Sequence, residues 1–320
     1  MPEPNAPPSP GRSRAGRRAL LRGALAGAVA AAGGSAGGST AWAGAAVGAT
    51  AAAGAVPRRG RGLVDPARIS VQLYTLRAAL EGEPGHDATM RALARMGYRR
   101  VELAGSTYGR TAGRLRAFYD RLGIAATSAH HGLSAGPREL AAKLADAVTL
   151  GHACLVVPML DSAEAADWRR WAARMNAEAR AARSAGLRYG YHNHAHEWTR
   201  DLGGGTTPWE VLTAELDPEL VHFELDLYWA ATAAVRLGEP DPEGFAIRLI
   251  RAAPQRVRQY HVKDRDPATG RMADPGRGGL DFPRIFAAHA AEEYVVENDT
   301  PDTSPLRTAR AGLAFLRGPR

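Results

Sequence analysis

Cysteine is nearly absent from the sequence: Cys154 is the only one among 320 residues. A single cysteine excludes an internal disulfide, and its position in the apolar stretch Ala153–Val157 is typical of a small buried side chain. The sequence also lacks an uninterrupted apolar run of about 20 residues, the length that a membrane-spanning helix needs. We therefore expect a mature chain without disulfides and without a stable membrane span.

Positive charge is scarce outside the first 62 residues. The formal net charge is +8, and residues 1–62 contribute +7 of it, because they hold eight arginines and one acid, Glu3. The rest of the chain is therefore nearly neutral, whereas nucleic-acid-binding domains present a basic face. We expect no nucleic-acid partner.

The first sixty residues have the pattern of an export signal. Arg17-Arg18 precede an apolar run rich in alanine and glycine over residues 23–34, and Ala41–Ala43 offers small residues for cleavage. This order resembles a twin-arginine signal peptide over residues 1–43, followed by a linker over residues 44–63. A disordered tail with a chance arginine pair is the alternative. We expect the twin-arginine export machinery to carry the folded protein to an extracytoplasmic or secreted location.

From Ile69 onward, β-rich runs alternate with helical ones. The predicted strands are Ile69–Tyr74, Arg99–Leu103, Ile124–His130, Ala153–Val157, Leu187–Asn193, Val221–Asp226, Val257–Lys263 and Tyr294–Glu297. The predicted helices are Asp87–Met96, Ala112–Leu122, Pro137–Leu150, Ala163–Ala185, Pro208–Leu216, Pro242–Ala253, Phe282–His289 and Pro305–Leu316.

Strict alternation of strands and helices predicts a parallel sheet. Eight strand–helix units in about 250 residues predict a closed α/β barrel, the (β/α)8 or TIM barrel, as a single domain over residues 64–320. A doubly wound open sheet is the alternative. It usually carries a glycine-rich phosphate loop after its first strand, and the segment Tyr74–Arg77 contains no glycine.

Polar side chains recur at the predicted carboxyl ends of the strands, where the active sites of such barrels lie. They include Gln72, Tyr74, Glu102, His130, His131, His192, His194, Glu224, Asp226, His261, Lys263 and Glu297. Histidine nitrogens mixed with carboxylate oxygens suit Mn²⁺, Co²⁺, Fe²⁺ or Zn²⁺ better than Ca²⁺. The pattern predicts one divalent metal ion and a small-molecule substrate at this rim.

The motifs at these strand ends resemble those of the xylose isomerase-like superfamily of sugar phosphate isomerases/epimerases, over about residues 69–316. The motifs are YHNHxxE at 191–197, ELDxYW at 224–229, HVKD at 261–264, GxGxLDF at 276–282 and VVExD at 295–299. The resemblance implies metal ligands at a strand-five Glu, a strand-six Asp, a strand-seven His and a strand-eight Glu. Three of these match Asp226, His261 and Glu297, and His192 stands at the strand-five position.

His192 is a departure from that pattern. Histidine still binds metal, but the two-glutamate proton relay of ketose 3-epimerases would lose one partner. We therefore expect a metal-dependent sugar isomerase/epimerase-type enzyme that transfers a proton next to a carbonyl. Its substrate would be a non-phosphorylated sugar, keto-sugar or polyol derivative. The alternatives are a lyase that performs β-elimination on a 3-keto glycoside at the same metal site, a non-catalytic sugar-binding barrel, and an apurinic-site endonuclease, which the near-neutral charge disfavours.

Individual roles follow from the same resemblance and from position. Glu297 is predicted as both ligand and base, and the groups that would position substrate oxygens are His194, Lys263 and Glu224. Predicted substrate contacts are Tyr74, Glu102, His130, Trp229 and Arg277. For His130 the alternative is a structural hydrogen bond, for Glu102 an ion pair with an arginine, and for Arg277 a tight turn.

Overall fold

The computed structural model describes residues 62–302 and 304–318. The predicted signal peptide, residues 1–43, lies outside the described residues, and so does the predicted linker apart from its last two positions. Within the described residues, no helix is both long and apolar enough to cross a membrane.

Eight parallel strands form the sheet at the centre of the molecule. They are Ile69–Val71 (β1), Arg100–Leu103 (β2), Ala125–His130 (β3), Cys154–Val157 (β4), Arg188–His192 (β5), Val221–Asp226 (β6), Val257–Val262 (β7) and Glu293–Val296 (β8). Their spatial order is β1-β8-β7-β6-β5-β4-β3-β2. A parallel bridge between Gln72 and Glu102 joins β1 to β2. The strands therefore form a nearly closed barrel, and the predicted single (β/α)8 fold is confirmed.

Helices follow the strands and surround the barrel. Those described are Arg77–Glu81 (α1), His86–Met96 (α2), Ala112–Leu122 (α3), Pro137–Leu150 (α4), Ala165–Ser184 (α5), His196–Thr199 (α6), Pro208–Glu215 (α7), Leu227–Leu237 (α8), Pro242–Ala252 (α9), Phe282–Ala288 (α10) and Pro305–Arg317 (α11). A short antiparallel ribbon, Asp264–Arg265 with Met272–Ala273, follows β7.

The sequence prediction missed α1, α6 and α8. Helix α8 begins directly at the end of β6, where the side chain of Asp226 accepts a hydrogen bond from the backbone of Trp229 at 2.8 Å. Seven of its eleven residues are buried and few of its side chains are polar, so its sequence, LYWAATAAVRL, does not stand out from the preceding strand. Strand β1 is also shorter than predicted, because Gln72 accepts from Tyr74 N at 3.0 Å and starts a 3-10 turn over Leu73–Leu76.

The lower part of the barrel contains buried polar side chains as well as apolar ones. Cys154 is buried, as predicted, and its thiol donates to Gln259 Oε1 at 3.3 Å. Glu293, at the start of β8, accepts from the Thr127 hydroxyl at 2.6 Å. Burial raises the pKa of Glu293 to about 7, because the charged carboxylate loses its hydration there.

Candidate metal and substrate site

A cavity of about 550 Å³ opens at the carboxyl ends of the strands. Its polar lining residues are Tyr74, His130, His131, His192, His194, Lys263, Glu297 and Asp299. Most of them follow directly from strands β3, β5, β7 and β8, so the barrel itself positions them. This is the rim at which the sequence predicted the site.

Three of the predicted metal ligands converge beside this cavity, and we call Asp226, His261 and Glu297 the outer set. One ligand atom of each lies within 4.8 Å of the other two. His261 Nδ1 is 2.6 Å from Glu297 Oε2. Asp226 uses Oδ1 to cap α8, while its buried Oδ2 has an ion pair with Lys263 and no hydrogen bond among the described residues. Two carboxylates and an imidazole are donors that suit a divalent transition ion, so the outer set fits such an ion.

Lys263 lies against the same carboxylates. Its Nζ is 2.9 Å from Asp226 Oδ2 and 2.8 Å from Glu297 Oε2, and both oxygens of Asp299 accept from it at 3.0 Å. Burial lowers the pKa of Lys263, but the three carboxylates outweigh this effect and hold the pKa well above its usual range. The ammonium is therefore charged, and it competes with any cation for Asp226 and Glu297. Asp299 offers it a partner outside the predicted ligands.

The ionisation of Glu297 follows from these contacts. Burial raises the pKa of its carboxyl, while Lys263 and His261 lower it by more, so the net pKa lies well below the usual range. Glu297 is thus an anion at neutral pH.

The fourth predicted ligand, His192, belongs to a second group of side chains deeper in the barrel. We call His130, His192, Glu224 and His261 the inner set; their ligand atoms also lie within 4.8 Å of one another. Glu224 Oε2 is 2.7 Å from His130 Nε2, 3.1 Å from His261 Nε2 and 3.3 Å from His192 Nδ1. His192 Nε2 faces the other way, 3.9 Å from Asp226 Oδ2. His261 is a member of both sets.

Glu102 lies below the inner set rather than in the cavity lining. Its Oε1 accepts from Gln72 Nε2 at 2.8 Å and lies 2.7 Å from His261 Nε2, and its Oε2 accepts from the Ser128 hydroxyl at 2.5 Å. The side chain is fully buried. The structure thus places this predicted substrate contact beneath the site, among groups that orient His261.

The other predicted contacts are divided between the cavity and its surroundings. Tyr74 and His130 line the cavity. Trp229 stands beside it, with its ring 5.3 Å from that of His194 and 5.9 Å from Lys263 Nζ. Arg277 is exposed and does not belong to the lining.

The predicted catalytic groups are also divided between the cavity lining and the region below it. His194 and Lys263 line the cavity, whereas Glu224 lies in the inner set below it. Burial and the charge of Lys263 lower the pKa of His194 to about 3, so this imidazole is neutral at physiological pH.

Three positioning residues were not singled out from the sequence. Asn193 accepts from the backbone N–H of Asp226 at 3.0 Å and so joins the ends of β5 and β6. Glu197 accepts from Tyr191 and from the backbone of His194, at 2.7 and 2.9 Å, and thereby fixes the turn after β5. Asp299 holds Lys263. All three stand inside the quoted motifs, whose spacing was the available signal.

Comparison with solved structures shows the same barrel in several proteins. A sugar phosphate isomerase/epimerase of Parabacteroides distasonis is 23% identical, and the match covers 83% of this chain and 96% of that one with a TM-score of 0.61. The IolI protein, solved with a bound zinc atom, is 13% identical over 78% of this chain and 97% of its own, with a TM-score of 0.58.

A third similar structure is the D-psicose 3-epimerase of Clostridium cellulolyticum with D-tagatose. It is 16% identical, and the match covers 78% of this chain and 98% of that one with a TM-score of 0.56. At these identities the likeness establishes the fold. A search of curated protein sequences finds no match.

The sequence itself matches a family profile described as the xylose isomerase-like TIM barrel, over residues 90–318. This match spans well over half of the chain and includes every motif from β3 to β8. The protein therefore belongs to the xylose isomerase-like TIM barrel family.

Proposed function

We propose that the protein is a divalent-metal-dependent enzyme of the sugar isomerase/epimerase type, which transfers a proton next to a carbonyl group. The observation that carries the proposal is the convergence of Asp226, His261 and Glu297 beside a cavity of about 550 Å³ at the carboxyl ends of the strands. We also propose that residues 1–43 direct twin-arginine export and that residues 44–63 link them to the barrel, residues 64–320.

The metal would be held by Asp226, His261 and Glu297, with His192 as the fourth ligand. When bound, a divalent transition ion polarises a substrate carbonyl and so acidifies the hydrogen on the neighbouring carbon. Binding at the outer set requires Lys263 to give up Asp226 and Glu297. Asp299 then keeps the ammonium paired, so the buried positive charge is not left without a partner.

The proton is proposed to move to Glu297, which is ionised and lines the cavity. Lys263 lines it too and presents an ammonium that can donate to a substrate oxygen as negative charge develops on it. The neutral His194 has a buried Nδ1 without a hydrogen-bond partner, which is available to a substrate hydroxyl. Tyr74, 45% exposed at the cavity, and Trp229 offer aromatic faces to a sugar ring.

Charge in the cavity supports a non-phosphorylated substrate. Among the described residues that line the cavity, Lys263 is the only lysine or arginine, and it is already paired with three carboxylates. The lining therefore offers a phosphate group no cationic side chain that is not already paired. A neutral sugar, keto-sugar or polyol derivative suits this lining better.

The second candidate reaction is β-elimination from a 3-keto glycoside, and the position of the carboxylates favours it over 3-epimerisation. Both carboxylates in the lining, Glu297 and Asp299, follow β8. The β5 side presents His192 and His194. A proton removed by Glu297 therefore has no carboxylic acid on the opposite side to replace it, whereas elimination or one-face isomerisation needs none.

Solvent exchange tests the proposed reaction. Keto-sugars incubated in D₂O with the metal-loaded protein should gain deuterium on the carbon next to the carbonyl. Glu297→Gln should reduce this exchange about 10²–10⁴-fold, because a positioned general base contributes that much. Glu178→Gln removes a buried carboxylate outside the site and should leave exchange unchanged.

Each contrary result has a distinct meaning. Turnover with a hydride shift and no exchange would contradict the proton-transfer mechanism. Efficient C3 epimerisation of a free ketose would contradict the preference for elimination. Sugar binding without turnover of any keto-sugar would identify a binding barrel instead.

A further inference from the structure

The inner set has the composition of a metal site and lies apart from the outer carboxylates. One ligand atom of each of its three imidazoles and of its carboxylate lies within 4.8 Å of the others, and Glu224 Oε2 is between 2.7 and 3.3 Å from a nitrogen of each histidine. Such nitrogen-rich four-donor groups suit zinc and neighbouring transition ions. The outer set, in contrast, offers two carboxylates and one imidazole.

Within the part of the chain that the structure describes, two atoms of the inner set are buried without hydrogen-bond partners. They are His192 Nδ1 and Glu224 Oε1, on side chains that are 3% and 0% exposed. His192 Nδ1 is close to Glu224 Oε2, but the geometry is not that of a hydrogen bond. An unsatisfied buried polar atom costs free energy, and a cation bound by the inner set would remove that cost at His192 Nδ1.

The inner region also contains buried carboxylates without a lysine or arginine partner among the described residues. Glu224 and the neighbouring Glu102 are fully buried, and in the described part of the chain neither contacts a lysine or an arginine. Buried carboxylates require a compensating cation nearby. Either protons on the histidines or a metal ion can supply that charge.

We propose that the inner set is a metal site in its own right, binding one divalent transition ion through His130 Nε2, His192 Nδ1, Glu224 and His261 Nε2. A neutral imidazole has one lone pair, so His261 binds either the inner ion through Nε2 or the outer ion through Nδ1, and His192 likewise binds either the inner ion through Nδ1 or the outer ion through Nε2. Loss of the outer carboxylates therefore leaves the inner site complete. This inference concerns metal content, and it stands or falls separately from the proposed reaction.

The proposal is tested by removing the outer carboxylates and measuring whether zinc remains bound to the protein. The double variant Asp226→Asn/Glu297→Gln keeps hydrogen-bonding groups near Lys263 while removing both outer carboxylate ligands. After loading with Zn²⁺ alone and dialysis, we expect about one zinc ion per chain by elemental analysis. Zinc K-edge absorption should show three imidazole ligands. Adding His130→Asn to this variant should release the ion, whereas adding Glu178→Gln should not.

Loss of zinc from the double variant, under loading conditions that fill the wild type, would overturn the proposal. So would a retained ion with fewer than two imidazole ligands, or one that His130→Asn leaves in place. If the double variant does not fold, His130→Asn in the otherwise native chain decides. This single variant should lower either the amount of zinc bound per chain or the number of imidazole ligands of the zinc. If both remain unchanged, the proposal is overturned. In that case, protons on the histidines would compensate the negative charge of Glu102 and Glu224.

Discussion

Replacing Lys263 by methionine tests how the outer carboxylates are compensated. The substitution removes the ammonium while keeping an unbranched side chain, and it leaves Asp226, Glu297 and Asp299 without their shared partner. Removing one member of a buried ion pair usually costs about 3–5 kcal/mol, because the remaining charge stays desolvated. At about 2–4 °C per kcal/mol for a domain of this size, the metal-free variant should melt roughly 10 °C below the wild type.

Binding of a divalent ion should restore most of the stability that Lys263→Met loses. A divalent ion can take the position of the ammonium, and Asp226 and Glu297 then bind it without competition. At an ion concentration of about 100 times Kd, binding should restore about 3 kcal/mol. Urea denaturation of the full chain in chelator and in Mn²⁺ or Zn²⁺ measures both quantities.

The matched control is Lys143→Met, at the only other lysine of the chain. Lys143 contacts Glu178 at 3.3 Å, and Glu178 keeps hydrogen bonds from Ser134 and Tyr189. Lys143→Met should lower the free energy of unfolding by about 1 kcal/mol, and metal should not change this difference. The reasoning is refuted if Lys263→Met is as stable as the wild type in chelator, or if its deficit persists at saturating metal.

Three further predictions concern the outer metal ligands, the predicted signal peptide and the buried Glu293. Asp226→Ala or His261→Ala should remove the outer ion and the activity together, and full metal occupancy of both variants with activity unchanged would contradict the ligand assignment. Replacing Arg17 and Arg18 by lysine should abolish export without affecting the fold, as fractionation and circular dichroism would show; normal export would exclude the twin-arginine route. The pKa of the Glu293 carboxyl is about 7 in the folded protein and about 4.5 in the unfolded chain. As the pH rises above 4.5, the carboxyl therefore loses its proton in the unfolded chain first, and the free energy of unfolding falls until about pH 7. Glu293→Gln should therefore gain about 3 kcal/mol relative to the wild type between pH 5 and pH 8, at about 1.4 kcal/mol per pH unit; an equal difference at both pH values would show that Glu293 is not desolvated.

The fold was predictable because its signals are local. Alternation of β-rich and helical segments shows in short windows, and strand β6, Val221–Asp226, has the predicted bounds. Helices α3 and α4 match the prediction at both ends, because glycines stop them: Gly123 and Gly151 adopt the left-handed conformation at φ 63° and 79°. Helix α8 was missed because it is mostly buried and apolar and begins directly at the end of β6, with no turn residue to separate the two elements.

The site was predictable as a set of residues but not as an arrangement. Strand ends and motifs indicated which side chains gather at the rim. They did not indicate that Arg277 faces away or that Glu102 lies underneath. Those placements depend on loop paths and on hydrogen bonds such as that from Gln72 to Glu102, which join segments 30 residues apart.

The division into inner and outer sets follows from the two-residue repeat of the strands. Glu224 and Asp226 point to the same face of β6, and Glu224 belongs to the inner set whereas Asp226 belongs to the outer set. Two residues advance a strand by about 6.6 Å, so these two carboxylates start from different depths along the barrel. His192 stands where the family pattern has a carboxylate ligand on strand five, while Glu224 places a carboxylate in the inner set. Negative charge is thereby moved deeper into the barrel, next to His130 and His261, while Lys263 compensates the charge that remains above. If the proposed inner site is correct, zinc remains bound at the inner set after the outer carboxylates are removed, which is the result that the double variant Asp226→Asn/Glu297→Gln tests.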